Sequence, residues 1–391
     1  MLADVAVHVT EESSPPESTY DLSPQPSELP SGGPTLSWSF RVPRNILGVL
    51  GVYVASRLVI IFAAYYGRSV SHAASLGSLF SSWDAGHYMD IATNGYPVHP
   101  DVTQYSNVAF FPGYPMLTRA VATLTGFSAL TAGVIIAWVA GAVFVVLVTA
   151  LVARAFDSEA GQRAGILLAV FPGAYIATIA YAESLATMFV AASLWAMARD
   201  RPYRAGAMAA LATFTSPVTL PIGVTLLWRA WRRHDVRYVL SAAIAGVGFA
   251  SYMVFLWIHT GSLLTWYRAE HEGFHVYYSV LSPIAPLHYW PGLGLTETLS
   301  LLVLAAAVVG SIRSKVPSEW MIFGILVAAG SMFDKALWLN PRILYNAFPL
   351  LMGLAVWLRR EWYRVVAYTF AALLPVVFLL YLTLGNVTAQ P

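Results

Sequence analysis

The stretch SSWDAGHYMDIATNGYP carries residues whose types and spacing could do chemistry, because Asp84 sits there among apolar and aromatic neighbours. On a helix, His87 and Tyr88 follow Asp84 by three and four positions and share its face. Asp90 points about 240° around the helix, away from that face. A lone carboxylate of this kind is suited to take a proton from a hydroxyl group. The alternative is that Asp84 caps a helix while Trp83 anchors at a membrane interface.

A second carboxylate lies in FPGAYIATIAYAES, residues 171–184, where Glu183 follows Tyr181 near the end of an apolar run. Ionisable groups at membrane depth are costly and are often functional. The alternative for Glu183 is a cap on the following helix.

Two basic residues, Lys335 and Arg342, lie in FDKALWLNPRILYNAFPL, residues 333–350. Arginine stays charged and binds phosphate through two hydrogen bonds. A phosphate carried on a lipid would suit this stretch. The alternative is that both side chains extend to the membrane interface without a ligand.

The stretch HTGSLLTWYRAEHEGFH adds further polar candidates. His271 and His275 have the spacing of a metal-binding pair. A charged, aromatic loop lying on the interface more commonly accounts for such a stretch. Arg268 and Glu272 are also four apart, which predicts an ion pair on an exposed helix face.

The composition predicts the elements that must position these residues. The chain has 391 residues, of which 58% are hydrophobic and 11% charged, whereas ordinary globular proteins have about 25% charged residues. Several apolar runs approach the ~20 residues that cross a bilayer. We therefore predict an all-α polytopic membrane protein, with its clearest spans at Asn45–Gly67, Ala129–Ala153, Tyr238–Ile258 and Trp362–Leu384. The absence of cysteine excludes disulfides and thiol catalysis.

The basic residues predict the orientation. They form short clusters at 199–204, 229–237, 313–315 and 359–364, which fit the cytoplasmic side by the positive-inside rule. The connections at 67–108, 260–297 and 334–342 then fall outside, as a first external loop, a second large external loop and a short one. No basic stripe suggests nucleic-acid binding.

The chain divides into a tail and one membrane domain. Residues 1–44 are rich in Ser, Pro and Glu, a composition that predicts a disordered tail. Arg41 and Arg44 place this tail in the cytoplasm. Residues 45–385 form a single multi-span domain.

The stretch 107–126 leaves the number of spans open. If Arg154 and Arg163 are cytoplasmic, only an odd number of crossings fits between 107 and 153, and the run from 129 supplies one. The stretch is then re-entrant or partial. The alternative is a full crossing, with the loop 154–163 outside. These two possibilities give 10 or 11 spans.

The order of these features resembles the PIG-V-type GPI mannosyltransferases and their bacterial relatives, within the GT-C superfamily. The resemblance is carried by WDAGHYMDIATNGY (83–96), FFPGYP (110–115), FPGAYIATIAYAESL (171–185), and Arg342 followed by Phe348 and Pro349. Three details depart from the family pattern: WDAG stands for WDG, YAES stands for Y-[ST]-E, and ATFTSPVTL lacks the arginine of the usual stretch.

The resemblance implies a GT-C-type fold with about 10–11 transmembrane helices and a helical first external loop. It also implies transfer of a sugar, in the first place mannose, from a polyprenyl-phosphate-linked donor to an acceptor hydroxyl, with inversion. Asp84 matches the residue that serves the family as base. Arg342, and after it Lys335 and Arg268, would stabilise the phosphate that leaves.

The resemblance also implies the remaining site and the partners. Tyr181 and Glu183 would orient the sugar or the base, and Trp83, His87 and Tyr88 would contact substrate. No metal or other cofactor is required. The expected partners are the lipid-linked donor, membrane lipids and a glycolipid, glycan or protein acceptor. The membrane is the inner (plasma) membrane if the protein is bacterial and the endoplasmic reticulum if it is eukaryotic, with the site on the non-cytoplasmic side. The alternative function is a lipid or solute transporter or flippase.

Overall fold

A computed structural model describes residues 46–71, 76–278, 293–333 and 339–388. Within these ranges every assigned element is a helix. The α-helices are α1 (Ile46–Ser71), α2 (Leu76–Phe80), α3 (Ala85–Asn94), α4 (Gly113–Thr125), α5 (Ala129–Ala155), α6 (Ser158–Val170), α7 (Glu183–Ala198), α8 (Pro202–Thr215), α9 (Pro221–Arg233), α10 (Val236–Thr260), α11 (Thr265–Arg268), α12 (Leu293–Arg313), α13 (Ser318–Met332), α14 (Pro341–Asn346), α15 (Phe348–Trp357) and α16 (Arg360–Thr388). The predicted disordered tail, residues 1–44, and Lys335 lie outside the described residues.

Short irregular segments join several of these helices. Three of them are 3₁₀ turns, Asn107–Ala109, Pro172–Ala177 and Pro217–Thr219, and one is a π-helical turn, Ala269–Gly273. The second follows α6 because a proline cannot donate the backbone hydrogen bond that would continue that helix.

Five of the described helices are long and apolar enough to cross a membrane, namely α1, α5, α10, α12 and α16. Four of them cover the runs predicted from the sequence. The prediction of an all-α polytopic membrane protein is therefore confirmed. The helix α12 is a further span, which follows the second external loop.

The other helices of the bundle are shorter. α7, α13 and α15 are apolar helices of 10–17 residues, whereas α6, α8 and α9 have 13, 14 and 13 residues. A helix of 13–16 residues rises about 20–24 Å. Five of the described helices have the length and hydropathy of a full span. The predicted total of 10 or 11 spans stays a prediction.

One end of the bundle gathers the basic side chains. Arg154, at the end of α5, donates to the Ala198 carbonyl at the end of α7 over 3.2 Å. Arg163 of α6 donates to the Leu358 carbonyl, just after α15, over 2.9 Å. Both arginines therefore lie at the same end as the basic clusters that begin at 199 and 359. One crossing then fits between 107 and 153, and α4 is a partial helix.

A mostly buried ion pair joins α9 and α13 beside the end of α7. Arg229 of α9 contacts Glu319 at the start of α13, with 2.7 Å between Nη1 and Oε1. The same guanidinium donates to the Met197 carbonyl of α7 over 3.0 Å. The ends of α7, α9 and α13 are thereby held together.

Small residues allow some helices to approach closely. A Cβ atom on Gly248 of α10 would overlap the Ala210 carbonyl of α8, and one on Gly206 of α8 would lie 2.9 Å from the Ser241 backbone of α10. Packing of this kind is typical of helices in membranes, where small residues let two backbones approach closely and van der Waals contacts drive their association.

The outer surface is apolar as well. Leu124 and Ile258 are 85% and 78% exposed, and Leu47 and Tyr368 are similarly open. Soluble proteins rarely expose this much apolar surface, whereas a bilayer covers it.

Candidate active site

Asp84 does not cap α3, although it immediately precedes the helix. Its backbone is already helical, and its side chain makes no capping hydrogen bond. Trp83 before it has a φ of 56°, a left-handed conformation that costs an L-residue about 1–2 kcal/mol. The capping interpretation of Asp84 is therefore wrong, and its carboxylate has another partner.

That partner is Arg342, whose guanidinium lies between two carboxylates. Its Nη2 is 2.9 Å from Asp84 Oδ2, and its Nε is 2.6 Å from Glu183 Oε1. The Asp84 and Arg342 side chains are 28% and 23% exposed, whereas that of Glu183 is only 9% exposed. Asp84, Glu183 and Arg342, called the charged triad below, come from three distant parts of the chain.

The rings of Tyr181 and Tyr88 pack beside the charged triad. The Arg342 guanidinium carbon lies 4.8 Å from the centre of the Tyr181 ring, a cation–π contact. The Tyr181 hydroxyl accepts a hydrogen bond from the Asp84 backbone N–H over 2.8 Å. Tyr88 is buried and meets Tyr181 edge to face at 6.0 Å. Tyr181 therefore contacts both Asp84 and Arg342.

The start of α14 sets the position of Arg342. Asn340 caps this helix by accepting a hydrogen bond from the Ile343 N–H over 3.0 Å, and Pro341 occupies the first turn, where no N–H is needed. The Gly173 backbone lies directly against the Pro341–Arg342 peptide, so that a side chain there would overlap the Pro341 carbonyl. The 3₁₀ turn Pro172–Ala177 thus packs directly against the backbone of Arg342.

Arg57 in turn holds this 3₁₀ turn against the end of α6. It is fully buried in α1, and it donates to the carbonyls of Ala169 and Ala174 on either side of the break after α6. One of these carbonyls belongs to the last turn of α6 and the other to the 3₁₀ turn that follows it. The backbone at the end of α6 therefore supplies polar partners for this buried arginine.

The buried side of the site has spare hydrogen-bonding capacity. Glu183 Oε2 and Ser184 Oγ are buried and have no hydrogen-bond partner in the protein. Glu183 also lies inside α7 and not at its cap, since the capping position is Ala182. A ligand hydroxyl that reached these atoms could bind both a carboxylate oxygen and a hydroxyl.

The site lies at the end of the bundle opposite the basic residues. The helix α7 begins at Glu183, in the charged triad, and ends at Ala198, which contacts Arg154. Fifteen residues of α-helix rise about 22 Å. The charged triad and the basic end are therefore separated by most of the thickness of a membrane core.

His87 faces another direction from the one predicted. Its Nδ1 is 2.8 Å from Asn107 Oδ1, and its ring stacks on Phe110 and meets the edge of Phe274. Asn107 also donates to Asp90 Oδ2 over 2.6 Å. His87 is thus linked to Asp90, which the helical spacing had placed on the far face.

Arg268 is remote from the triad in its contacts. It pairs with Glu272 over 2.8 Å, as the spacing predicted, and its side chain is half exposed. The hydrogen bond from Arg268 lowers the pKa of the Glu272 carboxyl. The structure therefore gives Arg268 a partner within its own loop.

The histidine pair also has other contacts. His271 hydrogen bonds to the Val276 carbonyl and meets Tyr277 edge to face, and the His275 ring lies parallel to the same tyrosine ring. Over the described ranges, no group of three or more His, Asp or Glu side chains could hold a metal ion.

Some residues of the site were missed by the sequence reasoning. Tyr175 lies between Trp83 and Tyr381, with ring centres 6.4 and 6.0 Å away. Asn107 joins His87 to Asp90. Both lie inside stretches that were singled out, but a single tyrosine or asparagine there carries no signal that separates it from its neighbours.

Two solved structures resemble this one. ArnT from Cupriavidus metallidurans, bound to undecaprenyl phosphate, matches with a TM-score of 0.54 and 15% sequence identity over 87% of this chain and 78% of ArnT. The Archaeoglobus fulgidus oligosaccharyltransferase matches with a TM-score of 0.51 and 13% identity over 84% of this chain and 56% of that enzyme. Both are GT-C proteins. This chain has the GT-C fold.

The likeness to these two proteins is one of structure alone. No protein-family model matches the chain, and no curated protein matches its sequence. The chain spans just over half the length of the archaeal GT-C enzyme. The GT-C fold predicted from the motifs is confirmed, and the PIG-V subtype stays a prediction.

Proposed function

We propose that this protein is a membrane glycosyltransferase that moves a sugar from a polyprenyl-phosphate-linked donor to an acceptor hydroxyl. The observation that carries the proposal is the Arg342 guanidinium between Asp84 and Glu183 on a GT-C fold. The site brings a base, a cation for a phosphate and hydrogen-bonding atoms for a sugar into contact. The motif resemblance favours mannose as the sugar.

In the proposed reaction Asp84 acts as the base. Its carboxylate takes the proton of the acceptor hydroxyl while that oxygen forms a bond to the anomeric carbon. The bond between this carbon and the phosphate oxygen breaks, and its electrons leave with the polyprenyl phosphate. The attack comes from the face opposite the leaving group, so the configuration inverts.

Arg342 would exchange partners when the donor binds. A phosphate competes well for a guanidinium, because it accepts two parallel charge-assisted hydrogen bonds. The 23% exposure of the Arg342 side chain leaves it accessible to such a group. Once Arg342 turns to the phosphate, Asp84 loses its counterion and becomes the stronger base. Arg342 then stabilises the negative charge that develops on the leaving group.

Glu183 would keep its position throughout. Its Oε1 holds Arg342 Nε, and its Oε2 has no protein partner. A hydroxyl of the donor sugar would bind Oε2 together with Ser184 Oγ. This assignment gives Glu183 two functions, which are to orient the arginine and to orient the sugar.

The positive-inside rule gives the proposed orientation. The basic end, with Arg154, Arg163 and Arg229, would face the cytoplasm. The charged triad would then lie on the non-cytoplasmic side, where it would meet a lipid-linked donor in that leaflet. ArnT, which shares the fold, was solved with undecaprenyl phosphate bound, which supports a polyprenyl phosphate as the lipid.

The test is reconstitution of the full-length protein in vesicles with radiolabelled polyprenyl-phosphate mannose and no ion gradient. We expect label to appear in an acceptor or, slowly, in free sugar. Asp84→Asn should lower the rate at least a hundredfold, since it removes a general base. Glu361→Gln, which removes a carboxylate from the exposed start of α16 at the basic end, is the matched control. Equal rates for Asp84→Asn and the wild type would refute the base. No consumption of any polyprenyl-phosphate sugar, with transport of lipid instead, would refute the transferase.

A further inference from the structure

A cavity of about 580 Å³ opens beside the first turns of α3. Its wall includes Trp83, Gly86, His87 and Asp90, and the segment from Pro97 to Asn107 closes it from the other side. Sites for small ligands usually measure about 300–1,000 Å³. The cavity is large enough for one or two sugar rings.

The wall of this cavity combines aromatic rings with fixed polar groups. Trp83, His87 and Tyr105 supply flat faces, and His87 is held by its stacking on Phe110. Asn107 connects His87 to Asp90, and Asn94 donates to the other Asp90 oxygen over 2.6 Å. Hydroxyl groups would find both donors and acceptors here, in orientations that the network already fixes.

The charge of the wall selects among ligands. Asp90 and Asp101 line the cavity, and no Lys or Arg occurs among its lining residues. A phosphate or carboxylate on a ligand would meet two carboxylates in water and no cation. The lining therefore favours an uncharged, hydroxyl-rich ligand over an anionic one.

The wall of the cavity includes the residue next to the proposed base. Trp83 lines it, and the next residue along the chain is Asp84, whose side chain lies in the charged triad. The left-handed backbone of Trp83, with a φ of 56°, makes the sharp change of direction between them. A ligand that contacts Trp83 in the cavity would therefore lie one residue along the chain from Asp84.

We propose that this cavity binds the acceptor, and that the part of the acceptor held there is an uncharged carbohydrate. This inference rests on the proposed glycosyltransferase function and goes beyond it, because it names the chemical class of the acceptor and the residues that select it. The donor and its phosphate occupy the Arg342 side of Asp84, and the acceptor occupies the Trp83 side. The acceptor hydroxyl then meets the anomeric carbon above Asp84.

Gly86 offers a direct way to fill the cavity. It lines the wall in the first turn of α3, and a Cβ atom there would meet only the Ser81 carbonyl, at 3.9 Å. A Cβ atom is therefore accommodated there, and a longer side chain would extend from this wall. Gly86→Leu should occupy part of the cavity, whereas Gly86→Ala adds a single methyl group and is the matched control.

The first experiment measures binding without donor, by saturation-transfer NMR on the purified full-length protein with methyl α-mannoside as the probe. We expect Gly86→Leu to weaken binding at least about tenfold, a difference of ~1.4 kcal/mol, and Gly86→Ala to stay within about twofold of the wild type. Asn107→Ala should also weaken binding, because it removes the amide that fixes His87 and Asp90. Wild-type binding that Gly86→Leu leaves unchanged would overturn the inference.

The second experiment tests charge selection with mannose 6-phosphate against methyl α-mannoside. The wild type should bind the neutral probe and reject the anionic one. The double variant Asp90→Asn/Asp101→Asn should bind mannose 6-phosphate about fivefold better than the wild type does, since two screened like-charge repulsions disappear. Glu361→Gln, which removes one negative charge far from the cavity, should leave the preference unchanged. Tighter binding of the anionic probe than of the neutral one by the wild type would overturn the inference.

Binding and transfer fail separately. If methyl α-mannoside binds in the cavity but no lipid-linked sugar is ever consumed, the proposed function is wrong and the carbohydrate site stands. If transfer occurs and Gly86→Leu transfers to methyl α-mannoside with the same KM as Gly86→Ala, the proposed function stands and the acceptor site lies elsewhere.

Discussion

Replacing Arg342 by methionine tests the charged triad as a structural unit. Methionine keeps an unbranched side chain but removes the charge and all five N–H donors. Glu183, which is 9% exposed, and Asp84, which is 28% exposed, would then face each other without a cation. Both now contact one guanidinium, so their carboxylates lie within about 6 Å of each other, given hydrogen bonds of ordinary length.

The expected cost follows from that distance. Two unit charges 6 Å apart at an effective dielectric constant of 20 repel by about 3 kcal/mol. Removing one partner of a buried ion pair typically costs about 3–5 kcal/mol. Unfolding entropy of about 2.1 cal/mol/K per residue gives ~0.8 kcal/mol/K for the chain. A loss of 3 kcal/mol should therefore lower the melting temperature by about 4 °C.

The assay is thermal unfolding of detergent-purified protein, followed by tryptophan fluorescence, alongside donor consumption in vesicles. The double variant Arg342→Met/Glu183→Gln removes a negative charge with the positive one. It should recover at least half of the lost stability, and it should remain inactive, because no cation is left for the phosphate. Arg342→Lys keeps a charge but has one nitrogen for two carboxylates, and should fall between the two in stability.

Two results would refute this reasoning. An unchanged melting temperature in Arg342→Met would mean that the guanidinium does not hold the two carboxylates together. Full activity of the double variant would mean that the leaving phosphate does not depend on Arg342. The first result bears on the structure and the second on the chemistry, so each can occur without the other.

Three further predictions concern the supports of the site and its orientation. Gly173→Ala should lower the free energy of unfolding by about 1–3 kcal/mol and reduce donor consumption, because its methyl group would displace the peptide that joins Pro341 to Arg342. Gly223→Ala is the control, because a Cβ atom there meets nothing within 4 Å. Equal melting temperatures for the two variants would contradict the prediction. Arg268→Ala should change the donor-consumption rate less than about twofold, since Arg268 pairs with Glu272 in its own exposed loop; a tenfold loss would place Arg268 at the phosphate. In this cysteine-free chain, Gln104→Cys should react with a membrane-impermeant maleimide in intact cells and Arg232→Cys should not, and the reverse pattern would invert the topology.

The sequence was most informative about the membrane helices. Apolar runs of about 20 residues are rare outside membranes, and the runs beginning at Asn45, Ala129, Tyr238 and Trp362 all became long helices. The short helices were harder to predict, because 13–16 residues fall below the length of an ordinary membrane span. They became clear only through contacts such as Arg154 with Ala198, which fix the end at which each loop lies.

The contacts of the site were less predictable than its members. Asp84, Glu183 and Arg342 were placed on one side by loop charge, but their hydrogen bonds join residues 159 and 258 positions apart. No local pattern encodes such a separation. For Asp90, helical spacing defines only an angle around α3 relative to Asp84. The segment that carries Asn107 packs against α3, and its contacts with His87 and Asp90 define a second side of this helix that helical spacing alone does not contain.

The separation of the triad along the chain has a consequence for biosynthesis. Arg342 is made 258 residues after Asp84 and 159 residues after Glu183. At about 5–20 residues per second, Glu183 spends about 8–32 s in the translocation machinery or the bilayer before its counterion exists. Closure of the site is therefore a late event in synthesis, and a ribosome stalled before residue 342 would leave a nascent chain in which neither acid of the charged triad has its guanidinium.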